Sequence, residues 1–474
     1  MKKTMITSLL MLLALTASAQ ERKELHILSG NDMHAAIECF PRLGFIADSL
    51  RTLYPDLLIL SAGDNRSGDP LNDMYEIPAY PMVALMNIVG FHTSTLGNHE
   101  FDSGQKGLAQ LINMSNFSYL CSNAHPAPST GIHVRPYQVF DAGGIRVGII
   151  GVTALGVLGK PESHPDNMTD ITFTDPLETV RQYEFLRKQC DVVVLLSHMG
   201  YEDDVKISAE LPWVDLIVGG HSHTQLKGGE IHNGILITQN VDRLKRVTHT
   251  TLTLENGKVV GKSAENIAVR GEKNENKIIS LLTDFFSNNP AFERVLATAD
   301  APFSTYEELG CLMADAYRVE GGADLSFQNY GGVRYDTHAA GGITVKDVLR
   351  LDPFQNSVVM VNVTGKELVE MLIKCYDNDQ LRFPLVSGMT AEYAIDQTTK
   401  KLKKVVLYGL DGKKLNLKNT YQVATNSYVQ AITPTNRKDE GHSIGRNTAD
   451  LIMRYLEHQG HVNYQGRTCV KEIK

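Results

Sequence analysis

The sequence has little that would suit it to nucleic acid or to a membrane interior. Lysine and arginine number 46 against 54 aspartates and glutamates, a formal net charge of −8, and no basic run occurs. Such an acidic surface excludes a nucleic acid polymer as partner, while a small anion would need positive potential built locally, from cations or a few arginines. The six cysteines (Cys39, Cys121, Cys190, Cys311, Cys375, Cys469) include no Cys-x-x-Cys pair. That excludes a thiolate zinc site, and the spacings identify no disulfide. Small buried residues, with space for one bridge, are expected. Internal repeats and low-complexity tracts are absent.

Long apolar runs are missing except at the start. Met5–Leu15 is apolar, follows Lys2 and Lys3, and precedes the small residues Ala17-Ser18-Ala19. The run is short for a bilayer and has no successor, so Met1–Ala19 is expected to be a removable leader. The remaining chain would then be periplasmic or secreted, with no membrane span.

What is present is ordinary globular material, 42% hydrophobic and 21% charged, over 474 residues. That length exceeds what one core usually serves, so two domains are expected. In the first half, short β-branched runs (Leu25–Leu28, Leu57–Leu60, Val147–Ile150, Val192–Leu196, Leu216–Val218) alternate with stretches of helical spacing such as Arg42–Leu53 and Tyr80–Val89. Alternation of this kind predicts layered α/β architecture with buried sheets. Near residue 270 the composition turns polar, and an amphipathic helix over Ile278–Phe286 precedes Asn288-Asn289-Pro290. The expected division is residues 1–19, 20–270, a linker with helix over 271–298, and a second domain over 299–474.

Polar residues recur just past the carboxyl ends of the candidate strands, where open α/β sheets gather ligands. Asn31-Asp32-Met33-His34 follows the first strand, and Gly63-Asp64-Asn65 the second. Gly97-Asn98-His99-Glu100 follows Phe91–Leu96, His198 ends Val192–Leu196, and Gly219-Gly220-His221-Ser222-His223 follows Leu216–Val218. Five such deliveries are too many for chance. Carboxylates, imidazoles and an amide oxygen suit two divalent cations roughly 3.5–4 Å apart that share one carboxylate and activate a water. A mixed N/O set favours Zn, Mn, Fe or Co over Mg or Ca. Trp213 and the methionines of Tyr80–Val89 read as core. His92, His125, His133, His164 and His232 lack this context and are expected to be structural.

The order Asp-x-His, Gly-Asp, Gly-Asn-His-Glu, His, Gly-His-x-His resembles the calcineurin-like metallophosphoesterases. Gly97–Asp102 and Gly219–His223 are similar to the 5'-nucleotidase/UDP-sugar hydrolase/cyclic phosphodiesterase branch, and the likeness runs over nearly the whole chain past the leader. It implies a four-layer α/β sandwich followed by a smaller α/β substrate-binding domain. Asp32, His34 and His223 would hold one metal, Asp64 would bridge, and Asn98, His198 and His221 would hold the second. His223 stands where glutamine is frequent. His99 would face the phosphate, oriented by Asp102.

In the second half Asn329-Tyr330-Gly331-Gly332-Val333-Arg334 resembles the family's phosphate-binding turn, which makes Arg334 a phosphate ligand and Asn329, Gly331 and Gly332 its frame. Phe354, in Asp352–Asn356, would stack on a nucleobase. The family's second aromatic and a further arginine have no counterpart in Ser427–Arg437 or Ser304–Gly310, leaving Tyr428 and Arg437 as substitutes. The implied activity is hydrolysis of nucleoside monophosphates or related small phosphate esters by metal-activated water. The alternatives are a phosphodiesterase or pyrophosphohydrolase acting on cyclic nucleotides or nucleotide sugars, and a non-catalytic periplasmic nucleotide-binding protein.

Overall fold

A computed structural model describes residues 22–473, so the leader expected over Met1–Ala19 lies outside the described residues. The first half forms two six-stranded sheets. One runs in the order Lys258–Ala268, Arg246–Glu255, Arg22–Gly30, Leu58–Ser61, Thr93–Thr95, Ser118–Leu120. The other runs Glu230–His232, Ile235–Thr238, Leu216–Gly219, Val192–His198, Ile145–Thr153, Tyr137–Ala142.

Strand periodicity explains how the layers stack. Successive side chains point to opposite faces, and here both faces are apolar. Ile27, Leu58, Ile149 and Val194 meet in a core between the two sheets. Their neighbours turn the other way: Leu28 and Ile59 join the helices Phe40–Leu53 and Tyr80–Val89, while Ile150 and Leu195 pack with Trp213 on the far side. The result is a helix–sheet–sheet–helix sandwich. Met82 and Met86 are buried within it, as expected.

The second half is built on a five-stranded sheet, Leu385–Ser387, Leu325–Gln328, Thr420–Asn426, Ser357–Thr364, His442–Asn447. Helix Tyr306–Gly321 packs on it, started by a Thr305/Glu308 capping box that satisfies amide groups at its first turn. The helix Lys277–Ser287 joins the halves and rests on Phe40–Leu53 and Tyr80–Val89. All six cysteines are buried thiols. Among the described residues, no helix is long and apolar enough to cross a membrane.

Candidate functional site

Parallel pairing of Arg22–Gly30, Leu58–Ser61 and Thr93–Thr95 in one sheet, and of Ile145–Thr153, Val192–His198 and Leu216–Gly219 in the other, aligns their carboxyl ends. The turns that follow are stitched together by backbone bonds. Asp32 N–H donates to Gly63 O and His34 N–H to Asp64 O, each at 3.0 Å. Asp32, His34, Asp64, His221 and His223 all have positive φ, between 44° and 75°. Non-glycine residues seldom hold that conformation, and such strain concentrates at functional sites. Gly97 permits a close approach: a Cβ there would lie 2.1 Å from Asp64 Oδ1.

The structure brings together all seven residues expected as ligands. Asp32, His34 and His223 form one group, Asp64, His198 and His221 another, and Asp64 also groups with His34 and His99; within each group the ligand atoms lie within 4.8 Å of one another. Asn98 Oδ1 stands 3.2 Å from His198 Nε2 and 3.1 Å from His221 Nδ1. Asp64 thus faces both clusters. His198 Nε2 is 3.1 Å from Asp64 Oδ2, while His223 Nε2 is 3.4 Å from Asp32 Oδ1.

Charge explains why these donors suit cations. Asp32 and Asp64 are 0% and 2% exposed, and their only ion pairs among the described residues are with histidines. Burial pushes the Asp64 carboxyl up, but the charges of His198 and His99 hold it well below the carboxylate range. Burial likewise disfavours charge on His198, yet Asp64 and Asp32 raise it to about 10. His221 is lowered to about 4 by burial and by His198. Two buried carboxylates facing convergent imidazole nitrogens form a mixed N/O set that fits divalent transition metals.

His99 Nδ1 bonds Asp102 Oδ2 at 2.8 Å, and Ser163 Oγ donates to the other Asp102 oxygen. Burial works against charge on His99, but Asp102 and Asp64 raise its pKa above the usual value. From the second half, Arg334 Nη2 reaches 3.3 Å from His34 Nε2. Asn329 and Gly331 both donate to Asp379, at 3.2 and 2.8 Å. Gly332 and Phe354 also line the cleft between the halves, a space of about 610 Å³.

Four residues in or beside the site escaped the sequence. Glu100 accepts from the amides of Asp64, Asn65 and Gly97 at 2.9, 2.8 and 2.7 Å, clamping two ligand-bearing turns. Its place in Gly97–Glu100 was the available signal. Glu162 lines the cleft 3.8 Å from His221, and burial, followed by Asp379, pushes it up to about 7. Asp379 is the third. His164, expected to be structural, lines the cleft as well. Of the substitutes considered for the missing aromatic and arginine, Tyr428 lines the cleft. Arg437 is instead turned onto Thr433 O and Thr435 Oγ1.

Two family models match the chain, the calcineurin-like phosphoesterase over residues 25–225 and the 5'-nucleotidase C-terminal domain over residues 259–432. Protein UshA of Yersinia enterocolitica is 29% identical over 431 residues, 78% of this chain and 76% of that protein. A 5'-nucleotidase of Vibrio cholerae is 28% identical, over 85% of this chain and 82% of its own length. Among solved structures, a 5'-nucleotidase precursor from Thermus thermophilus superimposes with a TM-score of 0.84 at 24% identity, covering 95% of this chain and all of that one. This last likeness is one of fold.

Proposed function

Because this chain belongs to the calcineurin-like phosphoesterases that carry a 5'-nucleotidase C-terminal domain, we propose that it is a periplasmic or secreted two-metal hydrolase that dephosphorylates nucleoside monophosphates or related small esters. The family makes it a phosphoester hydrolase using divalent metal ions. The observation that carries the proposal is Asp64, whose carboxylate faces the ligand atoms of both histidine clusters.

Asp32, His34 and His223 would hold one ion, Asn98, His198 and His221 the other, and Asp64 would serve both. Bound there, the ions would supply Lewis acidity, drawing charge from the phosphoryl oxygens and making water nucleophilic near neutral pH. The chain's own groups do the rest. Arg334 pairs its guanidinium with phosphate oxygens. His99, kept protonated by Asp102, donates from Nε2 to the transferring group or to the departing ester oxygen. Glu100 fixes the spacing of the Asp64 and Asn98 turns, so little reorganisation is needed during reaction. Residues 20–270 carry the metal centre in this reading, and residues 299–474 deliver the phosphate through Arg334.

Phosphate release tests the proposal, using protein lacking the leader, stripped with chelator and reloaded with Mn, Co, Zn, Mg or Ca. The substrates are adenosine and uridine monophosphates, a nucleotide sugar, a cyclic nucleotide with a coupled phosphatase, and a simple phosphomonoester. Metal-dependent turnover that disappears in Asp64→Asn supports the reading. Folded protein that turns over none of them would sink it.

A further inference from the structure

The last segment of the chain lies along one face of helix Tyr306–Gly321. Residues 308, 311 and 315 share that face by their three- and four-residue spacing. At one end Gly466 N–H donates to Glu308 Oε1 at 2.6 Å. At the other, the Tyr464 hydroxyl donates to Asp315 Oδ2 at 2.7 Å and Arg467 Nη2 to Asp315 Oδ1 at 3.0 Å. Cys311 sits between these anchors, 0% exposed, and Cys469 lies just past Arg467, 5% exposed.

Cys469 is fixed from its other side too. Val386 N–H donates to its Sγ at 3.4 Å, and Ala391 N–H to its carbonyl at 3.1 Å. The Cys311 and Cys469 thiols are near enough to perturb each other's ionisation. Other cysteines have different neighbours: the Cys39 thiol donates to Arg243 O, and the Cys121 thiol to Asn123 Oδ1. The fold thus brings the Cys311 and Cys469 side chains together.

We propose that Cys311 and Cys469 form a disulfide in an oxidising compartment, pinning the end of the chain to the core of the second half. Two S–H bonds break and one S–S bond forms. The two electrons and two protons pass to an oxidant of the disulfide class, protein-borne or glutathione disulfide, which is reduced to two thiols. The closed loop holds well over a hundred residues, so the bond restricts the unfolded chain strongly and the folded chain little. It also secures Val470–Glu472, which among the described residues pairs only with Met389–Ile395 at the edge of a three-stranded sheet. The proposal draws on the extracytoplasmic reading for its oxidant alone and involves no group of the metal centre.

Refolding gives the test, because both sulfurs are buried in the native state. Protein lacking the leader is unfolded, then refolded in a glutathione redox pair, with circular dichroism and elution volume reporting the native fold. Thiols are then counted under denaturation and unreduced peptides are mapped by mass spectrometry. The expected result is four thiols instead of six, a mass lower by two hydrogens, and a cross-linked peptide joining Cys311 to Cys469. Wild-type protein should melt several degrees lower after dithiothreitol, whereas Cys311→Ser and Cys469→Ser should not respond to it. Six thiols in natively refolded protein at every redox ratio, or a bridge between other cysteines, would overturn the proposal whatever the enzyme's activity.

Discussion

Phe354 lies almost parallel to the His99 imidazole, with ring centroids 5.5 Å apart and planes 14° from parallel. The Arg334 guanidinium carbon is 5.3 Å from the centroid of the same Phe354 ring. An aromatic expected to stack on a nucleobase is therefore engaged with the proposed acid and the proposed phosphate ligand. To offer its face to a base, Phe354 must leave His99, and Arg334 would then be free to turn to a phosphate. The predicted outcome for Phe354→Ala follows from that double duty. Its kcat/KM for nucleoside monophosphates should drop roughly tenfold, from the loss of about 1–3 kcal/mol of base stacking. A small phosphomonoester, with nothing to stack, should change by no more than about threefold. Equal losses on both substrates would mean that Phe354 acts on His99 alone.

Asp102 sets the protonation of His99, and removing its charge should move a pH profile in a defined direction. The carboxylate, 2.8 Å from Nδ1, is the leading cause that raises the His99 pKa against burial. If His99 works as a donor, activity declines as pH rises through that pKa. In Asp102→Asn the imidazole loses its proton at lower pH, so the alkaline limb of kcat should shift to lower pH. The maximum should fall by about 100-fold, at the lower end of the range for general acid catalysis. Metal content measured by atomic absorption should stay at the wild-type level. An unmoved alkaline limb would remove His99 from the donor role.

Much of this was legible because strands and their carboxyl ends leave local marks. Tyr80–Val89 is helical over the residues its spacing indicated, and Leu58–Ser61 lies one residue from its expected start. The ligand candidates could be found because each sits in a short motif directly after an apolar run. Glu162, Asp379 and the pair Asp69–Arg350 were not legible for the opposite reason. Their roles arise from contacts between segments distant in sequence, and a lone acid in a loop reads as solvated surface. Cys311 and Cys469 are invisible as a pair for the same reason. Phe354 lines the cleft, but the face it covers depends on how the two halves meet, which no local pattern encodes.

Asp69 and Arg350 join the two halves of the molecule. Arg350 Nε donates to Asp69 Oδ2 at 2.6 Å, and Asp69, 1% exposed, also caps the short helix Pro70–Asp73 by accepting from Leu71 N–H. Breaking a buried pair by removing one partner is costlier than deleting both, because it strands a charge. Arg350→Ala should therefore destabilise this arrangement of the halves by about 3–5 kcal/mol, with less loss in Asp69→Asn/Arg350→Ala. The expected readouts are a larger radius of gyration in small-angle scattering and a higher KM, with the secondary structure unchanged. Additive effects of the two substitutions would show that the pair does not couple the halves.

Asp204 supplies a pH-dependent prediction away from the substrate cleft. It is buried at the end of the second sheet, where Ser197 Oγ donates to its Oδ1 at 2.5 Å and its Oδ2 has no hydrogen-bond partner among the described residues. Burial raises its pKa to about 8, against about 3.9 for an unfolded aspartate. Between those values the folded state holds a proton that the unfolded state has released. Stability contributed by this group is therefore complete below about pH 4 and is lost as pH rises toward 8. Asp204→Asn keeps an oxygen for Ser197 and has no proton to lose. Its melting temperature should match wild type near pH 4 and exceed it by several degrees near pH 8.5. Chelator-stripped protein is the right sample, since a cation at His198 would add positive charge and pull the Asp204 pKa down. Parallel melting curves across that range would mean that Asp204 ionises in the folded protein as it does in water.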